Sequence, residues 1–245
     1  MISRRRRRYA ALRRQWPGLF KNPQPSPYEI VTKRSEVRKA QANEGSRLAK
    51  KHLPRRWRRI GVIHENPYII IVRDPVRFPT GKLGTYIRVI PASGSAGAAV
   101  LPLLNEKIVL VRHFRHATRL EHLEIPRGFG EPGVSPIDQA VQELHEEIEG
   151  QEVGKPASLG ELHSNNGIAT DCVELFIVEI RKFGRPQISE GITGIETYRP
   201  TEVADFIRMG KITDSFTIAA FTRAWLAGRL PGCPPPAKRT RAPTL

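Results

Sequence analysis

Cysteine is scarce in this chain: Cys172 and Cys233 alone cannot build a disulfide framework across 245 residues, so burial must hold the fold and a reducing compartment is the simplest setting. Long apolar runs are missing as well. The longest candidates, residues 68–72 and the small-residue stretch 96–104, fall well short of the ~20 residues that span a bilayer, so a soluble, cytoplasmic protein with no membrane partner is expected. Acidic residues are scarce where basic ones crowd. Residues 1–60 hold 19 Lys and Arg against only Glu29, Glu36 and Glu44, and this stretch carries the whole formal charge of +16. The remaining 185 residues balance at 21 against 21. A basic extension is thus joined to a neutral body, and nucleic acid or another polyanion is the expected partner of the extension. The length suits one substantial core with a small appended layer, not two full-sized domains.

The opening MISRRRRRYAALRRQW is Arg-rich and acid-free, as an organellar transit peptide can be. Five consecutive arginines offer no amphipathic face, however, and no secretory apolar segment follows. The reading is a basic arm over residues 1–59, disordered or ordered by a partner, with organellar targeting left open. Trp16 and Trp57 stand among its arginines, where indole can stack on bases or on protein. A β-hairpin layer is expected over residues 60–97 and the main globular domain over 98–231. The proline-rich end, 232–245, has the composition of a disordered tail.

In the hairpin layer, NPYIIIVRD reads as a buried strand and PTGKLG as the turn before TYIRVI. A second hairpin follows, AAVLPLL and IVLVRHF, reversed at Asn105, Glu106 and Lys107. The strand LEHLEIP then enters a loop from Arg127 to Gly133 that holds three more glycines. Beyond it lies the best-signed helix of the chain, with Ser135 as N-cap, Pro136 at its first position and Asp138 placed to close a capping box. Ile137, Ala140, Val141, Leu144 and Ile148 give it one apolar face. Strands over 173–181 and 191–198, a short helix over 200–209 and an amphipathic helix over 213–226 complete the reading.

On the capped helix, Glu143, Glu146 and Glu147 sit at i, i+3 and i+4, three carboxylates within one turn. Such a cluster suits water, basic partners or a divalent cation, and hard oxygen ligands favour Mg²⁺ or Mn²⁺. The preceding glycines bring bare backbone to the start of that helix, as phosphate and metal sites often require. GFGEPGVSPIDQAVQELHEEIEG, from Gly128, resembles the box of the Nudix hydrolase family, G-x5-E-x7-R-E-U-x-E-E-x-G-U with U aliphatic. Glu143, Leu144, Glu146 and Glu147 match its second half. Val134 replaces its first glutamate, Gln142 its arginine, and Glu149 and Gly150 its closing pair. VRHFRHATRLEHLEIPRG upstream and GKITDSFTIAAFTRAWL downstream are similar to the ADP-ribose pyrophosphatase branch, so the resemblance covers roughly residues 60–230.

The resemblance implies an α/β (α+β) fold, a Nudix α/β/α sandwich with a mixed sheet, extended here by the hairpin layer and the basic arm. It implies Mg²⁺ or Mn²⁺ held by Glu143, Glu147 and Glu146 with the carbonyl of Arg127. Arg115, and more weakly Arg112, would meet the substrate diphosphate, and Glu124 would orient substrate or support the metal ligands. Glu190, at the spacing of a loop base, would activate water beside Glu146. His113 and His116 fall on opposite strand faces, and His145 turns away on its helix to the surface. The implied reaction is hydrolysis of a nucleotide sugar, ADP-ribose or an ADP-sugar, to AMP and a sugar phosphate by a homodimer. Two rival readings stay open: a non-catalytic module of a nucleic-acid or ribonucleoprotein assembly, and a pyrophosphohydrolase of capped RNA. Either would use the arm to hold phosphates.

Overall fold

The computed structural model describes residues 4–234, in two compact units. One takes in the described residues up to Gly94 together with the loop Asn165–Asp171; the other holds Ser95–Ser164 and the chain from Cys172 onward.

In the N-terminal unit, helix α1 (Arg4–Gln15), strand β1 (Glu29–Ile30), helix α2 (Arg34–Lys50) and strands β2 (Gly61–Glu65), β3 (Ile69–Arg77) and β4 (Leu83–Pro91) follow one another. β3 is central: β4 pairs along its whole length, and β1 and β2 share its other edge, all antiparallel. The expected hairpin is therefore present, but the basic extension is not an unstructured arm. The arginine run offers no apolar face of its own; Tyr9 and Leu12, near the end of α1, supply one. They pack with Phe20, Val62, Ile70, Val72 and Ile90 in a core, with Trp16 against its side. Gly61, at φ 112°, lets β2 approach the Arg5 backbone where a Cβ would collide with it. Two buried groups complete the anchor. Tyr9 donates its hydroxyl to Asp74, and Arg88 Nε donates to the same carboxylate at 2.6 Å. In α2, Ala40, Glu44 and Leu48 are buried at four-residue spacing, the period that one helix face requires.

The C-terminal unit is a seven-stranded mixed sheet between helices. Strands β5 (Gly97–Leu104), β6 (Lys107–Arg115), β7 (Leu120–Glu124), β8 (Arg127–Gly128), β9 (Gln151–Leu162), β10 (Val173–Lys182) and β11 (Ile192–Tyr198) run in the order β11-β6-β5-β10-β9, with β7 on β6 and β8 on β5. The β10–β5 pair is parallel and the rest are antiparallel. Asn105 and Glu106 both take positive φ, 48° and 64°, the two-residue reversal that suits a twisted hairpin.

Strand alternation then divides the burial between two layers. Ala98, Val100, Val109 and Val111 face helix α3 (Pro136–Ile148) through Ala140, Leu144 and Ile148. Ala99, Leu101, Ile108 and Leu110 face Val203 of helix α4 (Pro200–Arg208) and Ala220, Phe221 and Ala224 of helix α5 (Ser215–Leu226). This is the α/β/α sandwich with a mixed sheet that the resemblance implied. β9, twelve residues long, was not expected; the start of the proline-rich tail is described as far as Pro234, and the rest of it lies outside the described residues.

Candidate active site

α3 carries the centre of the site. Ser135 Oγ accepts the Asp138 backbone N–H at 3.3 Å and Pro136 opens the helix, so its first turn begins where the glycine-rich loop arrives. Glu143 and Glu147, one turn apart, both point inward and are 8% and 1% exposed. Gly128 makes room for the first, since a Cβ there would overlap the Glu143 carboxylate. Gln139 Nε2 donates to Glu143 Oε1 at 2.7 Å while its own Oε1 accepts the Glu131 backbone N–H at 3.2 Å, tying the loop to the helix. Glu147 has no such donor. Its Oε2 is buried and makes no hydrogen bond among the described residues.

The surroundings raise the pKa of both carboxyls. Burial, the largest cause, pushes Glu143 up to about 7, opposed by the Gln139 hydrogen bond and reinforced by the charges of Glu146, Glu190 and Glu131. Burial likewise pushes Glu147 up to about 8, reinforced by Glu143, Glu124 and Glu190 and opposed by Arg115. Besides those on α3 itself, these neighbours come from four other segments of the C-terminal unit, the Glu131 loop, the Glu190 turn, β6 and β7, gathered around one helix face. The donor set suits a hard divalent cation: two buried carboxylates, one with an unmatched oxygen, supply the ligands that such an ion binds. The carboxylates of Glu143, Glu146 and Glu147 still stand apart. Among the described residues, the three ligand atoms that lie within 4.8 Å of one another belong to Glu161, His163 and Cys172, elsewhere in the unit.

Facing α3, Glu124 ends β7 almost fully buried. Arg115 donates Nε to it at 2.8 Å, His113 Nδ1 lies 3.3 Å away, and Arg127 approaches its other oxygen at 3.7 Å. Burial alone would raise this carboxyl; His113, Arg127 and Arg115 together hold it below the usual carboxylate range. Glu124 therefore stays charged and fixes the Arg115 guanidinium, which is a quarter exposed. Arg127 is held further by Asp214 at 3.5 Å and by the Phe216 ring, and its backbone pairs with Ala99 immediately before Gly128.

Glu190 ends a short 3₁₀ turn, Ile188–Glu190, that two backbone hydrogen bonds pin in place. Gln187 N–H donates to the Glu147 carbonyl at 3.0 Å, and Phe114 N–H donates to the Gly191 carbonyl at 2.9 Å. The loop is thus tied to both the end of α3 and β6, with the exposed Glu190 within electrostatic reach of Glu143 and Glu147. Glu146 is exposed and accepts Gln142 Nε2 at 2.9 Å. Arg112 is not brought to this cluster. It points to the other face of β6, where Glu196 and Glu121 already match its charge.

Three participants escaped the sequence. His113 shares a strand face with Arg115 by the two-residue period, and Gln139 precedes Glu143 by one helical turn; both signals were present. Asp214, by contrast, reaches Arg127 from 87 residues away and left no local trace. The departures from the box also have a structure. Gln142 Nε2 donates to Glu131 Oε1 at 3.3 Å, an amide–carboxylate link between loop and helix at the position where the box has arginine. Glu149 sits where the box has glycine and takes the left-handed conformation, φ 50°, that ends α3.

No model of a known protein family matches the chain, and no curated protein matches it in sequence. Solved structures do match it. A crystal structure of an ADP compounds hydrolase superposes on 70% of this chain and 93% of its own, with a TM-score of 0.60 and 16% identity. At that identity the likeness is one of fold, and the chain shares the mixed-sheet α/β/α fold of that hydrolase.

Proposed function

We propose that this chain hydrolyses the diphosphate of an ADP-linked compound, ADP-ribose or an ADP-sugar, in a reaction that requires Mg²⁺ or Mn²⁺. One observation carries the reading: Glu147, buried with an unmatched carboxylate oxygen, lies one turn from Glu143 and beside the Arg115–Glu124 pair. An arrangement kept at such a cost in desolvation is what a divalent cation would relieve, and Arg115 beside it offers a cation to a diphosphate. The likeness of fold to an ADP compounds hydrolase supports the substrate class.

In this reading Glu143, Glu147 and Glu146, with the carbonyl of Arg127, hold the divalent ion. Such an ion would draw electron density from the phosphoryl oxygens and so ease attack at phosphorus. Arg115, oriented by Glu124, meets a non-bridging oxygen of the diphosphate with its planar fork. Glu190 takes the proton from a water whose oxygen bonds to phosphorus as the bridging P–O bond breaks, and AMP leaves with ribose 5-phosphate. The test is product analysis with ADP-ribose and ADP-sugars in Mg²⁺ and Mn²⁺. Metal-dependent release of AMP is expected, lost in Glu147→Gln and reduced on the order of 10²–10⁴-fold in kcat in Glu190→Gln. Absence of turnover on every ADP-linked compound by a folded, metal-binding protein would sink the reading.

A further inference from the structure

The N-terminal unit contains a cavity of about 960 Å³, at the upper end of the size of small-ligand pockets. Its wall is a field of arginine: Arg4 to Arg7 along the first turn of α1, with Arg13, Arg34 and Arg59, and no Asp or Glu among the lining residues. No carboxylate of residues 4–94 forms an ion pair with these arginines. Residues 4–94 contain five carboxylates, and each is committed elsewhere: Glu29 and Glu36 to Arg77, Glu44 to Arg47 and Arg73, Glu65 to Arg8, and Asp74 to Arg88. None of the seven cavity arginines forms an ion pair among the described residues. The nearest approach to a partner is neutral, Arg6 donating to Gln41 Oε1 at 2.9 Å. Arg13 Nε is buried and makes no hydrogen bond among the described residues.

Seven like charges around one space repel one another, and the five carboxylates of residues 4–94 are paired with other arginines. We propose that this cavity binds the phosphate chain of a single-stranded nucleic acid. Guanidinium forks match phosphate oxygens two at a time, and one phosphate cannot engage forks spread from Arg4 on α1 to Arg59 before β2. A run of phosphates can. The basic surface also continues beyond the cavity: a second space of about 430 Å³ shares Ala10 and Arg13 with the first and is lined further by Arg14, Phe20 and Lys21. A cationic surface that extends over both spaces fits a strand better than a compact polyphosphate. This inference is independent of the hydrolase reading, since every residue it uses lies in the N-terminal unit.

The test is fluorescence anisotropy of the full chain with a labelled 12-nucleotide single strand, as RNA and as DNA, over a series of salt concentrations. Micromolar binding is expected at low salt, with log K falling against log[salt] by about 0.7 for each phosphate neutralised. The triple variant Arg5→Gln, Arg7→Gln, Arg13→Gln should weaken binding and flatten that slope by about 2 units. A matched variant of the C-terminal unit, Arg199→Gln, Arg208→Gln, Arg229→Gln, removes the same net charge and should bind as the parent does. Circular dichroism confirms that each variant is folded, and the pair Arg34→Gln, Arg59→Gln, off α1, repeats the test without touching that helix. Equal binding of RNA and DNA supports a site that reads phosphate alone, and a preference for either still supports the site. The proposal is overturned by an unchanged slope in both cavity variants, by equal losses in the matched variant, or by displacement of the strand by tripolyphosphate at concentrations far below those of the strand itself.

Discussion

Glu143 and Glu147 are held by burial well above the ordinary glutamate value of 4.5, at about 7 and about 8. A raised carboxyl means that the folded state keeps a proton the unfolded chain has released. The stability it contributes is complete below 4.5 and is lost as pH rises through the folded values. In chelator-treated protein, the free energy of unfolding should therefore fall between about pH 4.5 and about pH 8 and level off above, as urea titrations at several pH values would reveal. Millimolar Mg²⁺ should remove most of that fall near pH 8, because the ion binds the ionised carboxylates of the folded state alone. A stability that is flat over this range without metal would contradict the burial argument. Glu149 presents a different strain. It holds φ 50° at the end of α3, where a side chain costs about 1–2 kcal/mol and glycine costs little. Glu149→Gly should raise stability by about 1 kcal/mol, read as a shift of the urea midpoint at constant slope. Among the described residues its carboxylate accepts only an exposed backbone N–H, from Arg185 at 3.3 Å, so little is lost with it.

Two glycines of one loop separate site from scaffold at the scale of elements. A Cβ on Gly128 would meet the far end of the Glu143 side chain, which can swing aside; a Cβ on Gly130 would meet the backbone carbonyl of Ala96, which cannot. Gly128→Ala should leave the protein folded and lower kcat by about 10²-fold through a misplaced carboxylate. Gly130→Ala should instead lower the thermal midpoint sharply, and the reverse pattern would contradict the contacts assigned to this loop. The same elements explain how much of the fold is legible in the sequence. α3 announces itself through Ser135, Pro136 and an apolar period, β5 through an apolar run, and β6 and β10 through runs rich in β-branched residues, so the sandwich was legible. β9 was not: Gly154, Pro156 and Gly160 break its pattern, and it tolerates them because it is an edge strand paired only with β10. α1 was hidden by its arginines, since Tyr9 and Leu12 acquire a face only once β2 and β3 are there to cover them. At the site, the α3 glutamates were visible by spacing, whereas the matching of Arg112 by Glu196 depends on a strand pairing 84 residues apart.

Charge and core are distributed differently over the whole molecule, and heat can separate them. The extension carries the entire net charge, yet the unit it belongs to has a core of its own, in which Leu12 is fully buried with Tyr9, Val62, Ile70 and Val72. The acidic cluster lies wholly in the other unit, which has two further cores on the faces of its sheet. With separate cores, unfolding need not be a single cooperative event. Calorimetry should resolve two components, of which Mg²⁺ raises one, by RT ln(1 + [Mg²⁺]/Kd), about 2.7 kcal/mol at a hundredfold excess over Kd. Leu12→Ala, which leaves a cavity costing about 2–5 kcal/mol, should lower the other component and leave the Mg²⁺-dependent rise intact. If Mg²⁺ and Leu12→Ala instead moved one shared transition, the two units would fold as a single cooperative body, and a ligand bound by the arginines of one would then stabilise the carboxylates of the other.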